Sequence, residues 1–323
     1  MHQASSLSLL REQLRRVFIG QEEAVEQLLT ALLAGGHALL TGVPGLGKTT
    51  LVKSLSRLLG LSFRRIQFTP DLMPSDILGG EFLEEDPESG HRRLRFQEGP
   101  VFAQFLLADE VNRTPPKTQS ALLEAMGEGQ VTVGGATRPL PRPFFVLATQ
   151  NQLELEGTYP LPEAQLDRFL LNIVMDYLPL QEEAQMVAAT TGTALPELEP
   201  VLEAGQLLEL QSFCHEIVVP PTLVEDAVWL CASTRPQAEE CLPRFREFVK
   251  WGAGSRAAQS LIQAGKARAL LQGRGNVCQE DLLALLLPVT RHRIILNFRA
   301  AAEGITVEKL LAELKEEFQR KRR

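Results

Sequence analysis

Apolar residues at helical spacing open the chain. Leu10, Leu14, Val17 and Phe18 share one helix face, and Val25, Leu28, Leu29 and Leu32 repeat the pattern, which predicts two helices over residues 8–33. Ile19-Gly20-Gln21 separates them, with Gln21 placed to cap the second. Five short apolar runs follow, at 38–41, 63–68, 105–108, 144–148 and 169–175, and helical patterns separate several of them. Strand-length runs alternating with helices predict an α/β layer on a largely parallel sheet. In such sheets ligands bind at the carboxyl ends of the strands, so the polar residues just after each run deserve the closest reading. Two stretches break the alternation. Glu81-Phe82-Leu83 and Leu94-Arg95-Phe96 flank Asp86-Pro87-Glu88-Ser89-Gly90, and Gln130-Val131-Thr132-Val133 and Ala136-Thr137 flank Gly134-Gly135. Both read as hairpins, two insertions suited to a partner surface. From about residue 180 the pattern is helical, punctuated by Pro196, Pro200, Pro220, Pro221, Pro236 and Pro243, without a strong strand signal. The expected division is an α/β core over 1–178 and a smaller all-helical domain over 179–323, joined at Tyr177-Leu178-Pro179.

Composition narrows the class. The 323 residues fit about two domains of ~150 residues each. A net charge of -7 weighs against a protein that simply coats DNA or an acidic membrane, since phosphate binding needs basic surface. Cys214, Cys231, Cys241 and Cys278 form no C-x-x-C pair, which points away from a metal frame or disulfides and toward the reducing cytoplasm. No run approaches the ~18 apolar residues of a membrane span, and the first residues lack the apolar core of a signal peptide.

The chemistry concentrates after the first run. Gly42-Val43-Pro44-Gly45-Leu46-Gly47-Lys48-Thr49, followed by Thr50, has the G-x-x-x-x-G-K-[ST] spacing of a phosphate-cradling loop. Glycines let backbone N–H groups approach an anion, and the helix that follows adds its partial positive end. Lys48 reaches outer phosphates, and the Thr49 hydroxyl is a ligand for Mg²⁺. The third run ends in Asp109 and Glu110. Asp109 is placed to hold Mg²⁺ through water, and Glu110, on the opposite side if the pleat continues, to act as general base on a water. The fourth run ends at Asn151, a candidate for orienting that water or bonding the γ-phosphate. Arg168 is a candidate arginine finger, unless it pairs with Asp167 or Glu163. Arg256 precedes a helical stretch of the second domain and is a weaker candidate for reaching a phosphate.

With these motifs in order, the chain resembles the AAA+ ATPases and, within them, the MoxR family. The resemblance rests on Arg65-Ile66-Gln67-Phe68-Thr69-Pro70-Asp71-Leu72-Met73-Pro74-Ser75-Asp76-Ile77, Glu98-Gly99-Pro100, Ala108-Asp109-Glu110-Val111-Asn112-Arg113-Thr114-Pro115-Pro116-Lys117-Thr118-Gln119 and Leu161-Pro162-Glu163-Ala164-Gln165-Leu166-Asp167-Arg168-Phe169. It implies a P-loop AAA+ core with a five-stranded sheet, two hairpin insertions, the second facing a central pore, and an all-α lid. It implies Walker A at 42–49, Walker B at Asp109 and Glu110, sensor 1 at Asn151, the finger at Arg168 and sensor 2 at Arg256, binding ATP and Mg²⁺. It further implies a homo-oligomeric ring, usually a hexamer, in which Arg168 acts on a neighbour's ATP. The cis or trans action of Arg256 stays open. Where the family tends to have Ser-Pro-Arg, this chain has Gly254-Ser255-Arg256, which removes a rigid bend before the arginine. Partners bearing a von Willebrand factor A domain, and metalloenzyme or complex clients, are implied in the same way.

The leading expectation is therefore a Mg²⁺-dependent ATPase that remodels a protein client. A nucleotide-gated scaffold with little hydrolysis is an alternative against which Glu110 argues. A nucleic-acid motor is another, against which the acidic balance and the lack of a basic, aromatic-interleaved stretch argue.

Overall fold

The computed structural model describes residues 2–43, 46–85, 92–151, 157–191 and 198–322. Helices α1 (His2–Val17) and α2 (Glu22–Leu33) precede β1 (His37–Gly42), and α3 (Lys48–Leu58) leads from the glycine loop to β2 (Phe63–Gln67). The short α4 (Pro74–Leu78) enters a hairpin of β3 (Gly79–Glu85) and β4 (Arg92–Glu98). Next come β5 (Phe105–Asp109), α5 (Pro116–Glu128), a second hairpin of β6 (Gln130–Val133) and β7 (Ala136–Pro139), then β8 (Phe145–Gln150), α6 (Glu163–Leu166) and β9 (Phe169–Met175). The helical remainder holds α7 (Leu180–Thr191), α8 (Ala204–Glu216), α9 (Pro221–Ala232), α10 (Pro243–Phe248), β10 (Val249–Trp251), α11 (Ser255–Leu271), α12 (Gln279–Thr290), β11 (Ile295–Leu296), α13 (Phe298–Ala302) and α14 (Val307–Lys321).

The five core strands lie in the order β2-β5-β8-β1-β9, and every pairing is parallel. Alternate side chains divide between the two faces, as the pleat requires. Leu40, Leu107, Leu147, Leu171 and Ile173 face α1, α2, α3 and the helical remainder, whereas Leu39, Leu106, Val146 and Ala148 face α5. Burial on both faces is why β1, β5, β8 and β9 read as continuous apolar runs, whereas the edge strand β2 exposes Arg64, Arg65 and Gln67.

Both expected hairpins are present and antiparallel. The turn at 86–90 lies outside the described residues. The hairpins touch: the Arg138 guanidinium of β7 lies 3.9 Å from the centre of the Phe96 ring of β4. Two local expectations change. Gln21 stands at the N-cap position of α2 without a side-chain capping bond. Its amide instead donates to the Asp176 carbonyl at 2.7 Å, tying α2 to the end of β9. The helical remainder also contains the antiparallel pair β10–β11, whose strands are too short for sequence alternation to show. No helix among the described residues is long and apolar enough to cross a membrane.

Candidate functional site

The strand order brings the chemistry together. β8 lies between β5 and β1, so residues at its carboxyl end are flanked by the glycine loop on one side and the acidic pair on the other. A polar cavity of about 230 Å³ opens there, lined by Gly47, Lys48, Thr49, Asp109, Glu110, Thr149 and Asn151. Gly42 ends β1 against β9, where any Cβ would collide with the Met175 carbonyl. Gly47 adopts φ +72° at the start of α3, a left-handed conformation that glycine takes without strain. Val43 and Leu46 are half-buried, Leu46 against the core, and Thr50 is half-buried in the first turn of α3. Pro44 and Gly45 lie outside the described residues. The Lys48 ammonium donates to the Gly42 carbonyl at 2.7 Å, folded back along the loop. Burial pushes its pKa down, opposed by the charges of Asp109 and Glu110.

The two acids do not continue the pleat. Asp109 ends β5, but Glu110 takes φ +56°, a left-handed conformation that costs a non-glycine residue about 1–2 kcal/mol. This turn brings both carboxylates to the same cavity, where a continued strand would have set them on opposite sides. Thr149 stabilises the arrangement from β8. Its hydroxyl donates to Asp109 Oδ1 at 2.6 Å and accepts the Glu110 N–H at 2.8 Å. Asp109 Oδ2 and Glu110 Oε2 are held by cations and an amide. Arg65 donates to Asp109 Oδ2 through Nε at 3.1 Å and Nη2 at 2.6 Å. Gln67 Nε2 donates to Glu110 Oε2 at 2.9 Å, and Arg113 Nε lies 3.0 Å from the same oxygen. Asn151 is buried at the cavity wall. An ammonium, hydroxyls and carboxylate oxygens in one small polar cavity at a helix N-terminus match the needs of a polyphosphate and a hard divalent cation.

Arg168 and Arg256 lie elsewhere. They line a second cavity of about 330 Å³ with Gly35, His37, Gly127, Asp167 and Arg293. This cavity lies at the amino end of β1, whereas the glycine loop leaves its carboxyl end. Six residues of strand separate the two by about 17 Å at ~3.3 Å per residue. Arg168 does not turn to Asp167. Its Nη1 donates to the Leu123 carbonyl of α5 at 2.8 Å. Asp167 is taken by Arg293, at 2.7 Å, and faces Arg256 at 3.6 Å. The sequence-derived site residues thus form two sets on opposite ends of one sheet.

The chain matches the model of the ATPase family associated with various cellular activities (AAA) over residues 37–171 and that of the AAA lid domain over residues 243–314. It is 43% identical over 296 residues to Chaperone MoxR1 of Mycobacterium tuberculosis, spanning 92% of this chain and 77% of that protein. The chain belongs to the MoxR family of AAA+ ATPases. Protein MoxR of Paracoccus denitrificans is 31% identical, over 88% of this chain and 87% of its own length. Among solved structures, that of a candidate ATPase from Cytophaga hutchinsonii superposes with a TM-score of 0.89 at 38% identity, covering 97% of this chain and 94% of that one.

Sequence reasoning did not single out Arg65, Gln67, Thr149 or Arg293. Arg65 and Gln67 carry a weak signal, two polar residues at i and i+2 on a strand whose alternate positions share a face. Arg293 carries none, since its partner Asp167 lies 126 residues earlier.

Proposed function

We propose that this MoxR-family chain is a Mg²⁺-dependent ATPase that works as a ring, with each subunit completing its neighbour's site. The observation that carries the reading is the separation of the two cavities. A subunit whose phosphate loop and Arg168 lie at opposite ends of β1 can use that arginine only on another subunit's nucleotide. Arg256 shares the Arg168 cavity, so the same argument assigns it to the neighbour as well. In this reading the loop N–H groups and Lys48 hold the β- and γ-phosphates, and Thr49 and Asp109 hold Mg²⁺. When bound, Mg²⁺ neutralises charge on the phosphate oxygens. Asn151 orients a water and Glu110 takes its proton. The water oxygen bonds to the γ-phosphorus as the bond to the β–γ bridging oxygen breaks, releasing ADP and phosphate. Gln67 and Arg113 both meet Glu110 at Oε2 and so orient the carboxylate that takes the proton. The paired hairpins, with exposed Phe82, Leu83 and Leu94, are the surface offered to a protein client. We take a von Willebrand factor A domain partner and a hexameric ring from the resemblance to the family, and a cytoplasmic setting from the absence of any C-x-x-C cysteine pair.

One observation favours the second reading, a nucleotide-gated scaffold with little hydrolysis. Both acids are engaged by neighbouring side chains, Asp109 by Arg65 and Glu110 by Gln67 and Arg113. Turnover measured against protein concentration separates the two. The ATPase reading expects activity per subunit to rise with concentration and to vanish in Glu110→Gln. It expects Arg168→Ala to bind ATP but lose about 10³-fold or more in rate, the worth of such a finger. Full activity in a monomeric sample sinks the shared-site reading, and nucleotide binding without turnover at any concentration favours the scaffold.

A further inference from the structure

We infer that Arg293 is a positioning residue for the arginines offered to the neighbouring subunit, acting through Asp167. It lies in the loop after α12, far in sequence from Asp167 and Arg168, and lines the cavity they share with a side chain only 3% exposed. Every donor direction of its guanidinium is used. Nε donates to Asp167 Oδ1 at 2.7 Å. Nη2 donates to the Phe169 carbonyl at 2.7 Å, the Ser260 hydroxyl at 3.1 Å and the Asp167 carbonyl at 3.3 Å. Nη1 donates to the Leu170 carbonyl at 3.4 Å and to the Val289 carbonyl. These acceptors belong to three pieces of chain: the 167–170 segment that enters β9, α11, and the end of α12. His292 adds a further bond from the same loop, through Nε2 to the Phe169 carbonyl at 3.1 Å.

The clamped segment is the one that carries Arg168. The Asp167 carboxylate lies between Arg293 and Arg256, and Ser260 is one turn after Arg256 on α11. One buried guanidinium therefore sets both candidate arginines relative to each other and ties the helical remainder to the core at that point. Stability alone does not call for a charge here, because apolar residues of similar volume commonly replace a buried ion pair at no cost. A planar fork of donors does what an apolar plug cannot: it fixes the direction of the segment it holds.

The inference rests on the reading in which Arg168 serves a neighbour, and mixing experiments separate the two. Arg293→Met alone is expected to lose about 10²-fold in turnover, the cost of misplacing a reacting group by ~1 Å, with binding of a fluorescent ATP analogue unchanged. Arg293→Lys, which keeps the charge without the fork, falls between and serves in the mixtures if the Met variant does not fold. Glu110→Gln subunits have a dead site but intact arginines, whereas Arg293 variants have an intact site and misplaced arginines. Mixing the two must restore turnover, as the shared-site reading also expects of Arg168→Ala mixed with Glu110→Gln. A merely structural role leaves the mixture dead. If the Arg168→Ala mixture regains activity and the Arg293 mixture does not, the inference is wrong while the shared-site reading stands. If neither mixture recovers, the shared-site reading fails and takes the inference with it. Wild-type turnover in Arg293→Met also overturns it.

Discussion

The His37 ring joins three elements at the amino end of the sheet. From β1, its Nδ1 accepts the Val146 N–H of β8 at 3.0 Å, and its Nε2 donates to the Met126 carbonyl of α5 at 3.1 Å. An N–H only donates and a carbonyl only accepts, so these partners admit one form, the neutral ring with its proton on Nε2. Burial pushes the pKa down to about 4, against the backbone bond to Met126, which raises it. The consequence for stability has a definite sign. An unfolded histidine titrates near ~6.5, so between that value and about 4 the unfolded chain binds more protons and stability rises with pH. The loss therefore begins as pH falls through about 6.5 and is complete near about 4, amounting to about 3 kcal/mol. Gln at this position offers a donor and an acceptor without titrating. The melting temperature of His37→Gln is expected to fall less steeply than that of wild type between pH 6.5 and 4. Parallel pH profiles would show that His37 does not titrate as this site requires.

At the scale of elements, α5 sets where Arg168 rests. Its Leu123 carbonyl accepts from Arg168, and a Cβ at Gly127 would run into the Arg168 guanidinium. Alanine is a better helix former than glycine by roughly 0.5–1 kcal/mol, and the group in its way is the free end of a flexible side chain. Gly127→Ala is therefore expected to melt at or slightly above the wild-type temperature. Its turnover should drop about 10²-fold, with nucleotide binding intact. Wild-type turnover would mean that Arg168 leaves α5 to do its work. The same contrast between local and distant causes explains what was legible in the sequence. Strands β1, β5, β8 and β9 were legible because burial on both faces writes an unbroken apolar run, and the second hairpin because Gly134 and Gly135 take positive φ in its turn. The loop at 42–49 was legible because its spacing is written in eight consecutive residues. Glu110 was read as an acid but placed on the wrong side, because its left-handed turn is held by Thr149, 39 residues away. Arg65 and Arg293 act on partners in other elements, which no local pattern encodes.

For the whole molecule, the boundary near residue 178 marks a change of architecture more than a change of core. One continuous hydrophobic cluster includes Leu28 and Leu33 of α2, Ile173 and Met175 of β9, and Leu261, Leu285 and Phe318 of the helical remainder. Gln211 and Gln263 donate to the Leu32 and Ala34 carbonyls across the same junction, at 2.8 Å each. Parts that share a core lose their support together, so we propose that residues 1–178 and 179–323 unfold as one cooperative unit. The placement of the tryptophans makes this measurable. Trp229 and Trp251, the chain's two, both lie in the helical remainder, while the cavity at Lys48 and Asp109 lies in the α/β core. Nucleotide that binds only the folded core stabilises whatever unfolds with it, by about 2.7 kcal/mol at a hundredfold excess over Kd. In a cooperative molecule, MgATP should raise the melting midpoint seen by tryptophan fluorescence as much as the midpoint seen by calorimetry. If the helical part melted by itself, the fluorescence midpoint would stay in place while calorimetry split into two transitions. Glu110→Gln is the variant for this experiment, because it keeps the phosphate loop and leaves the nucleotide unspent during the scan.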